Sequence, residues 1–127
     1  HAVSFTAKGE LLLFDNGAGS FNAAPGTSAG LSRNYAAPRR YKLNVRAMTA
    51  TEVWNFEHNR SIFSPICSSV YEFGSSMLVD YASEGWGTHV RLLGLDRKGA
   101  IAFEYRIPGN WSLGWNATPI SLSRLSF

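Results

Sequence analysis

Residues 1–16, HAVSFTAKGELLLFDN, can be laid over residues 67–82, CSSVYEFGSSMLVDYA, without a gap. Each string reads as two short strands joined by a glycine turn, Lys8-Gly9 in the first and Gly74-Ser75-Ser76 in the second. Period-two alternation and short apolar runs flank these turns, the marks of half-buried and fully buried strands. Downstream the pairing continues: RYKLN (40–44) falls on LLGLD (92–96), and EVWNFE (52–57) on AFEYRI (102–107). A ninth segment, NATPISL (116–122), starts what reads as another round.

The predicted strands are 2–6, 10–15, 39–45, 51–57, 67–73, 76–81, 90–95, 100–107 and 117–122. Between them stand Asp15-Asn16-Gly17, Gly85-Trp86-Gly87, Asp96-Arg97-Lys98-Gly99 and Pro108-Gly109-Asn110, turn sequences in which Gly supplies positive φ and Asn or Asp tolerates it. No stretch keeps an apolar stripe at helical period for three turns, so the chain is expected to be all-β. Two repeated four-stranded meanders and one further strand are the pattern of β-propeller blades, whose repeats run to roughly 40–50 residues. This divides residues 1–127 into a first blade at 1–57 with a long loop at 18–38, a second at 67–107, and the start of a third at 116–127. A propeller closes with about four to eight blades. The expected partners are therefore the remaining blades of a longer chain, or further copies of this one. The competing architecture is a self-contained β-sandwich of similar strand number.

Composition sets outer limits. The 127 residues are 45% apolar and 17% charged, with a net charge of +3, ordinary values for a globular domain. Its twelve Lys and Arg are scattered rather than striped, which argues against a nucleic-acid partner. No apolar run approaches the roughly 20 residues of a membrane span. One cysteine, Cys67, provides neither an internal disulfide nor a Cys-type metal cluster. The sequence lacks a nucleophile elbow, a phosphate-binding glycine loop and a dinucleotide fingerprint, and so offers no motif for serine hydrolysis or nucleotide chemistry. No cofactor or metal is expected.

The residues left to carry chemistry are few. His1 and His89 both stand at strand starts, where loops on one face of a propeller converge. The alternative for each is a partly exposed turn histidine, and for His58, in the charged turn Glu57-His58-Asn59-Arg60, that alternative is preferred. Arg33 leaves the long loop as a potential bidentate anion ligand or as a solvated charge. Trp86, Trp111 and Trp115 are available for stacking on an aryl or sugar ring, or for packing between blades. The long loop itself reads as a rim or lid, with a disordered stretch at 22–30 as the alternative.

The strings GELLLFDNG (9–17), LSR (31–33) before RYKL (40–43), VWNF (53–56), SIFSPICSSVYE (61–72), THVRLLGLD (88–96) and WNATPI (115–120) resemble, in the same order, the bacterial arylsulfotransferase family. The resemblance implies a later portion of a six-bladed propeller, located in the periplasm or outside the cell. It also implies transfer of a sulfuryl group from a phenolic sulfate ester to another phenol through a sulfated histidine, with small phenols as the only partners of the reaction. Carried over by position, His89 matches the attacking histidine and His1 a second active-site histidine. Asn16, in the Asp-Asn-Gly string, and Arg33 are the expected substrate-binding residues. The family's arginine shortly after Asp-Asn-Gly is replaced by Ala18, Gly19 and Ser20, and a polar partner by Val3. A non-catalytic propeller module that binds a glycan or protein is the alternative function.

Overall fold

The computed structural model describes residues 1–19, 24–28, 30–111 and 113–121. Eight strands form two sheets: β1 (Ser4–Phe5), β2 (Leu11–Asp15), β3 (Ala37–Asn44) and β4 (Thr49–Asn55) in the first, and β5 (Ser69–Phe73), β6 (Ser76–Ser83), β7 (His89–Leu95) and β8 (Ile101–Pro108) in the second. Both sheets are antiparallel meanders in which neighbours in sequence are neighbours in space. This is the pair of four-stranded units anticipated from the repeat, and no strand crosses from one sheet to the other. The single sandwich that mixes strands from both halves is thereby excluded.

Alternation along the strands decides which faces meet. In β2, Leu12 and Phe14 are buried while Leu11, Leu13 and Asp15 are only partly so. Leu12 and Phe14 pack onto Val79 and Tyr81 of β6 and Leu93 and Leu95 of β7 in one apolar cluster, which Trp54, Phe56 and Met77 flank. At its centre the Phe14 and Tyr81 rings meet edge to face, 5.2 Å between centroids. One face of each sheet is therefore consumed in joining the two.

Three expectations are corrected. The first strand is two residues long instead of five, because only Ser4 and Phe5 find ladder partners, Leu12 and Leu11. The ladders equate Arg40 with Gly94, since Leu12 pairs with Arg40 and Leu78 with Gly94; the third strands correspond two residues further along than direct overlay suggests. Such a slip keeps every side chain on its face. The predicted ninth strand is not formed over residues 117–121, while residue 122 lies outside the described residues. A strand needs a neighbour to ladder with, and residues 113–121 run across the outer face of the second sheet instead, tied by Gly114 N–H to the Ala82 carbonyl (2.9 Å) and by Asn116 Nδ2 to the Tyr71 hydroxyl (3.0 Å). Asp80 lies beneath this crossing: a Cβ added to Gly114 would be 3.5 Å from its Oδ1.

Of the long loop at 18–38, residues 20–23 and 29 lie outside the described residues, and β3 already begins at Ala37. Its return to the sheet is pinned at Gly17. There φ is +72°, Asp15 Oδ1 accepts the Gly17 N–H at 2.9 Å, and the Arg33 N–H donates to the Gly17 carbonyl at 2.6 Å. A Cβ at residue 17 would come within 2.2 Å of the Tyr35 carbonyl oxygen, so this turn admits only glycine.

Candidate functional site

The ends of the two sheets that carry the predicted residues lie side by side. Asn16 follows β2 and reaches over to the segment preceding β5, where its Nδ2 donates to the Ser64 carbonyl (2.6 Å) and to Ser68 Oγ (3.2 Å). Ser64 Oγ in turn bonds Ser68 Oγ (2.8 Å) and Ser83 Oγ (3.1 Å), and accepts the Ser83 N–H (2.9 Å). All three serines are buried. A hydrogen-bonded chain thus runs from His1 through Asn16 and Ser64 to Ser83, the last residue of β6. Glu84, which follows, pairs by backbone with His89 at the start of β7.

The contacts of the His1 ring set its tautomer, and those of His89 do not. A carbonyl oxygen only accepts, so the contact with Ser64 identifies the nitrogen of the Asn16 amide and turns Oδ1 toward His1. His1 Nδ1 lies 2.6 Å from that Oδ1 and must therefore be the N–H, leaving the Nε2 lone pair free. The His1 main-chain nitrogen also donates to the Phe14 carbonyl (2.8 Å), which fixes the backbone of the residue. His89 Nδ1 stands between two groups that ask opposite things of it: Arg106 NH2, at 3.2 Å, only donates, while Thr88 Oγ1, at 3.1 Å, gives its proton to the Glu84 carbonyl and can only accept. The two contacts call for opposite tautomers.

The surrounding charges are tightly paired. Glu84, nearly buried, takes Arg91 through both guanidinium arms (2.7 and 2.9 Å) and Arg106 at 3.2 Å; Arg91 also reaches Glu104 at 2.5 Å. Burial by itself would raise the Glu84 carboxyl, but the two arginines outweigh it and hold the group below its ordinary value. At the other sheet, Arg33 is bonded to Asp15 and lies over the Tyr35 ring, 5.4 Å from its centroid. Buried Arg39 shares Asp15 (2.8 Å) and adds Glu52 (2.7 Å) and Glu57 (3.3 Å). Burial would lift Asp15 too, yet the Gly17 N–H and the Arg33 and Arg39 guanidiniums bring it below its ordinary value.

Of the four expected residues, His1 and Asn16 are brought into contact, and His89 shares their end of the molecule but opens the third strand of its own sheet. The Arg33 N–H bonds the Gly17 carbonyl next to Asn16, yet its NH2 is committed to Asp15 and its buried Nε has no partner. Arg106, Glu84 and the three serines were not singled out from sequence. Ser64 and Ser68 do lie inside the string SIFSPICSSVYE, and Arg106 within EYRI, but nothing local marks them; the partners that draw them into the site are 17 to 52 residues away.

Against models of protein families, the chain matches the arylsulfotransferase (ASST) family over residues 1–111. It belongs to that family. A comparison with curated protein sequences gives no match. Among the described residues no helix is long and apolar enough to cross a membrane.

Proposed function

We propose that this chain supplies two blades of a propeller that moves a sulfuryl group between phenols through a sulfated histidine, and that the chemistry takes place at the end where His1 and His89 stand. Such a reaction needs one imidazole with a free lone pair and one N–H donor for the charge that develops on oxygen. The observation that carries the reading is the His1–Asn16 bond, whose direction is fixed by the Ser64 carbonyl and which leaves Nε2 of His1 free to attack.

In this scheme the His1 lone pair attacks sulfur and the S–O bond to the donor aryl group breaks. The aryloxide leaves with the electron pair. In the tautomer that accepts from Arg106 at Nδ1, His89 Nε2–H is the hydrogen-bond donor toward the departing or sulfuryl oxygens, with half-exposed Arg106 as the adjacent cation. The acceptor phenol then attacks the sulfated histidine, its proton passing to the released aryloxide, and His1 is regenerated. Position along the family's motifs assigns the attack to His89 instead; the free Nε2 of His1 favours the reverse division of labour. Arg106, with NH2 3.2 Å from His89 Nδ1, stands in for the arginine missing at Ala18–Ser20 better than Arg33, whose contacts are with Asp15 and the Tyr35 ring. By family resemblance the complete ring has six blades and works in the periplasm or outside the cell.

The test is incubation of the full-length protein with 4-nitrophenyl sulfate and no acceptor, followed by peptide mapping. A sulfuryl group is expected on His1 and is expected to disappear in His1→Ala, while His89→Ala slows transfer by a factor on the order of 10² to 10⁴. Label on His89 restores the assignment made from the motifs. A folded protein that labels no histidine overturns the sulfohistidine reading and leaves the binding module.

A further inference from the structure

The turn between β6 and β7 shows Trp86 to solvent at a conformational cost. Gly85, Trp86 and Gly87 all have left-handed φ, +56°, +61° and +84°. For the glycines this is free, but a tryptophan there is strained, and such strain survives only where the surroundings over-determine the backbone. Here they do. The Gly85 N–H donates to the Phe63 carbonyl (2.9 Å), Thr88 Oγ1 donates to the Glu84 carbonyl (3.1 Å), and the Glu84 carboxylate is gripped by Arg91 and Arg106.

Core packing does not account for the placement, since Trp86 is 59% exposed. Nor does packing of a further blade. The face of the second sheet that remains open carries Phe103 and Leu78 and is the one that residues 113–121 cross, whereas the Trp86 ring leans the other way, onto Phe63 in the linker between the two sheets. The two rings meet at 5.8 Å and 67°, which leaves a rigid aromatic corner. His89 is three residues further along the same turn, and Glu84, the first residue of the turn, bridges to it.

We infer that Trp86, backed by Phe63, is the platform on which the ring of a phenol lies when its oxygen is directed to the histidine end, making Trp86 the residue that selects aromatic over aliphatic alcohols. The inference rests on the sulfuryl-transfer reading for its biological meaning. Binding of the ring is nevertheless measurable without any transfer, so the two can fail separately. Trp86 is a positioning residue; no bond to it forms or breaks.

The experiment is an NMR titration of the indole N–H signals with 4-methylphenol, and with 4-methylcyclohexanol as the saturated counterpart. The Trp86 signal, assigned by its loss in Trp86→Phe, is expected to shift saturably with the phenol only. In the variants, which lack this signal, binding is read from saturation transfer to the phenol's own ring protons: Trp86→Phe should bind as the native protein does, and Trp86→Ala roughly three- to tenfold more weakly, the scale of one aromatic pair. In the transferring protein Trp86→Ala should raise KM for the acceptor and leave kcat within about twofold. Trp86→Gly separates function from structure: removing the strained side chain should raise Tm while weakening phenol binding as Trp86→Ala does. Equal response to the saturated alcohol, unchanged binding in Trp86→Ala, or a lower Tm in Trp86→Gly overturns the proposal. Phenol binding at Trp86 in a protein that never labels a histidine would keep the platform and discard the transfer.

Discussion

Replacing Asp80 by asparagine is expected to abolish most of the pH dependence of stability between pH 5 and pH 8. Asp80 is 1% exposed, its Oδ1 has no hydrogen-bond partner, and burial pushes its carboxyl from 3.8 up to about 7. In the folded chain it holds its proton until near neutrality; in the unfolded chain it gives it up near pH 4. The native state thus binds more protons across that interval, and stability falls as pH rises through it. The full shift corresponds to about 4 kcal/mol, an upper limit because water reaching a loosened Gly114 crossing would relieve part of it. An asparagine at this position would keep the shape and never ionise. Thermal melts at half-unit steps should show the native chain losing roughly 6–15 °C in Tm from pH 5 to pH 8, and Asp80→Asn losing little. Asp15 and Glu84, held below their ordinary values, stabilise the fold above about pH 4.5 and lose that effect only at lower pH, outside the window. Parallel curves for the native chain and the Asp80→Asn variant would refute the assignment of the slope to this carboxyl.

Two other substitutions probe the site's scaffold. Asn16→Leu takes the amide partner from the Ser64 carbonyl in a buried setting and one of several partners from Ser68 Oγ, and should cost about 1–3 kcal/mol in urea unfolding, while also freeing His1 Nδ1 from its partner; a ¹⁵N spectrum showing an unchanged His1 tautomer in that variant would sink the argument for its lone pair. Gly17→Ala meets both a positive φ and a backbone oxygen at 2.2 Å, so it should destabilise by more than about 1 kcal/mol and loosen the Arg33 return; a neutral result would mean that this turn is free to rearrange.

The sequence by itself determined the two meanders. Short apolar runs such as LLLFD and MLVDY are a local property, and the glycine turns between strands leave each strand no nearer neighbour than the next, so sheet order followed directly. It also carried the family, because the motif strings stand in order along nearly all of the chain. It could not give strand lengths at the edges. β1 stops at two residues and residues 117–121 form no strand because a ladder depends on a neighbour that local pattern does not reveal. The site divides along the same line. That His1, Asn16 and His89 belong to one end of the molecule followed from their positions at strand ends. Which nitrogen of the His1 imidazole holds the proton was decided by a group distant in sequence, Ser64 acting through Asn16, and the cation beside His89 is Arg106, from the next strand. Arg33 is the converse: a guanidinium that the sequence presents as free was neutralised by Asp15 once the long loop folded back. Side-chain direction repeats every two residues and can be read from a string, but hydrogen-bond partnership is settled only when separate strands are brought within about 3 Å.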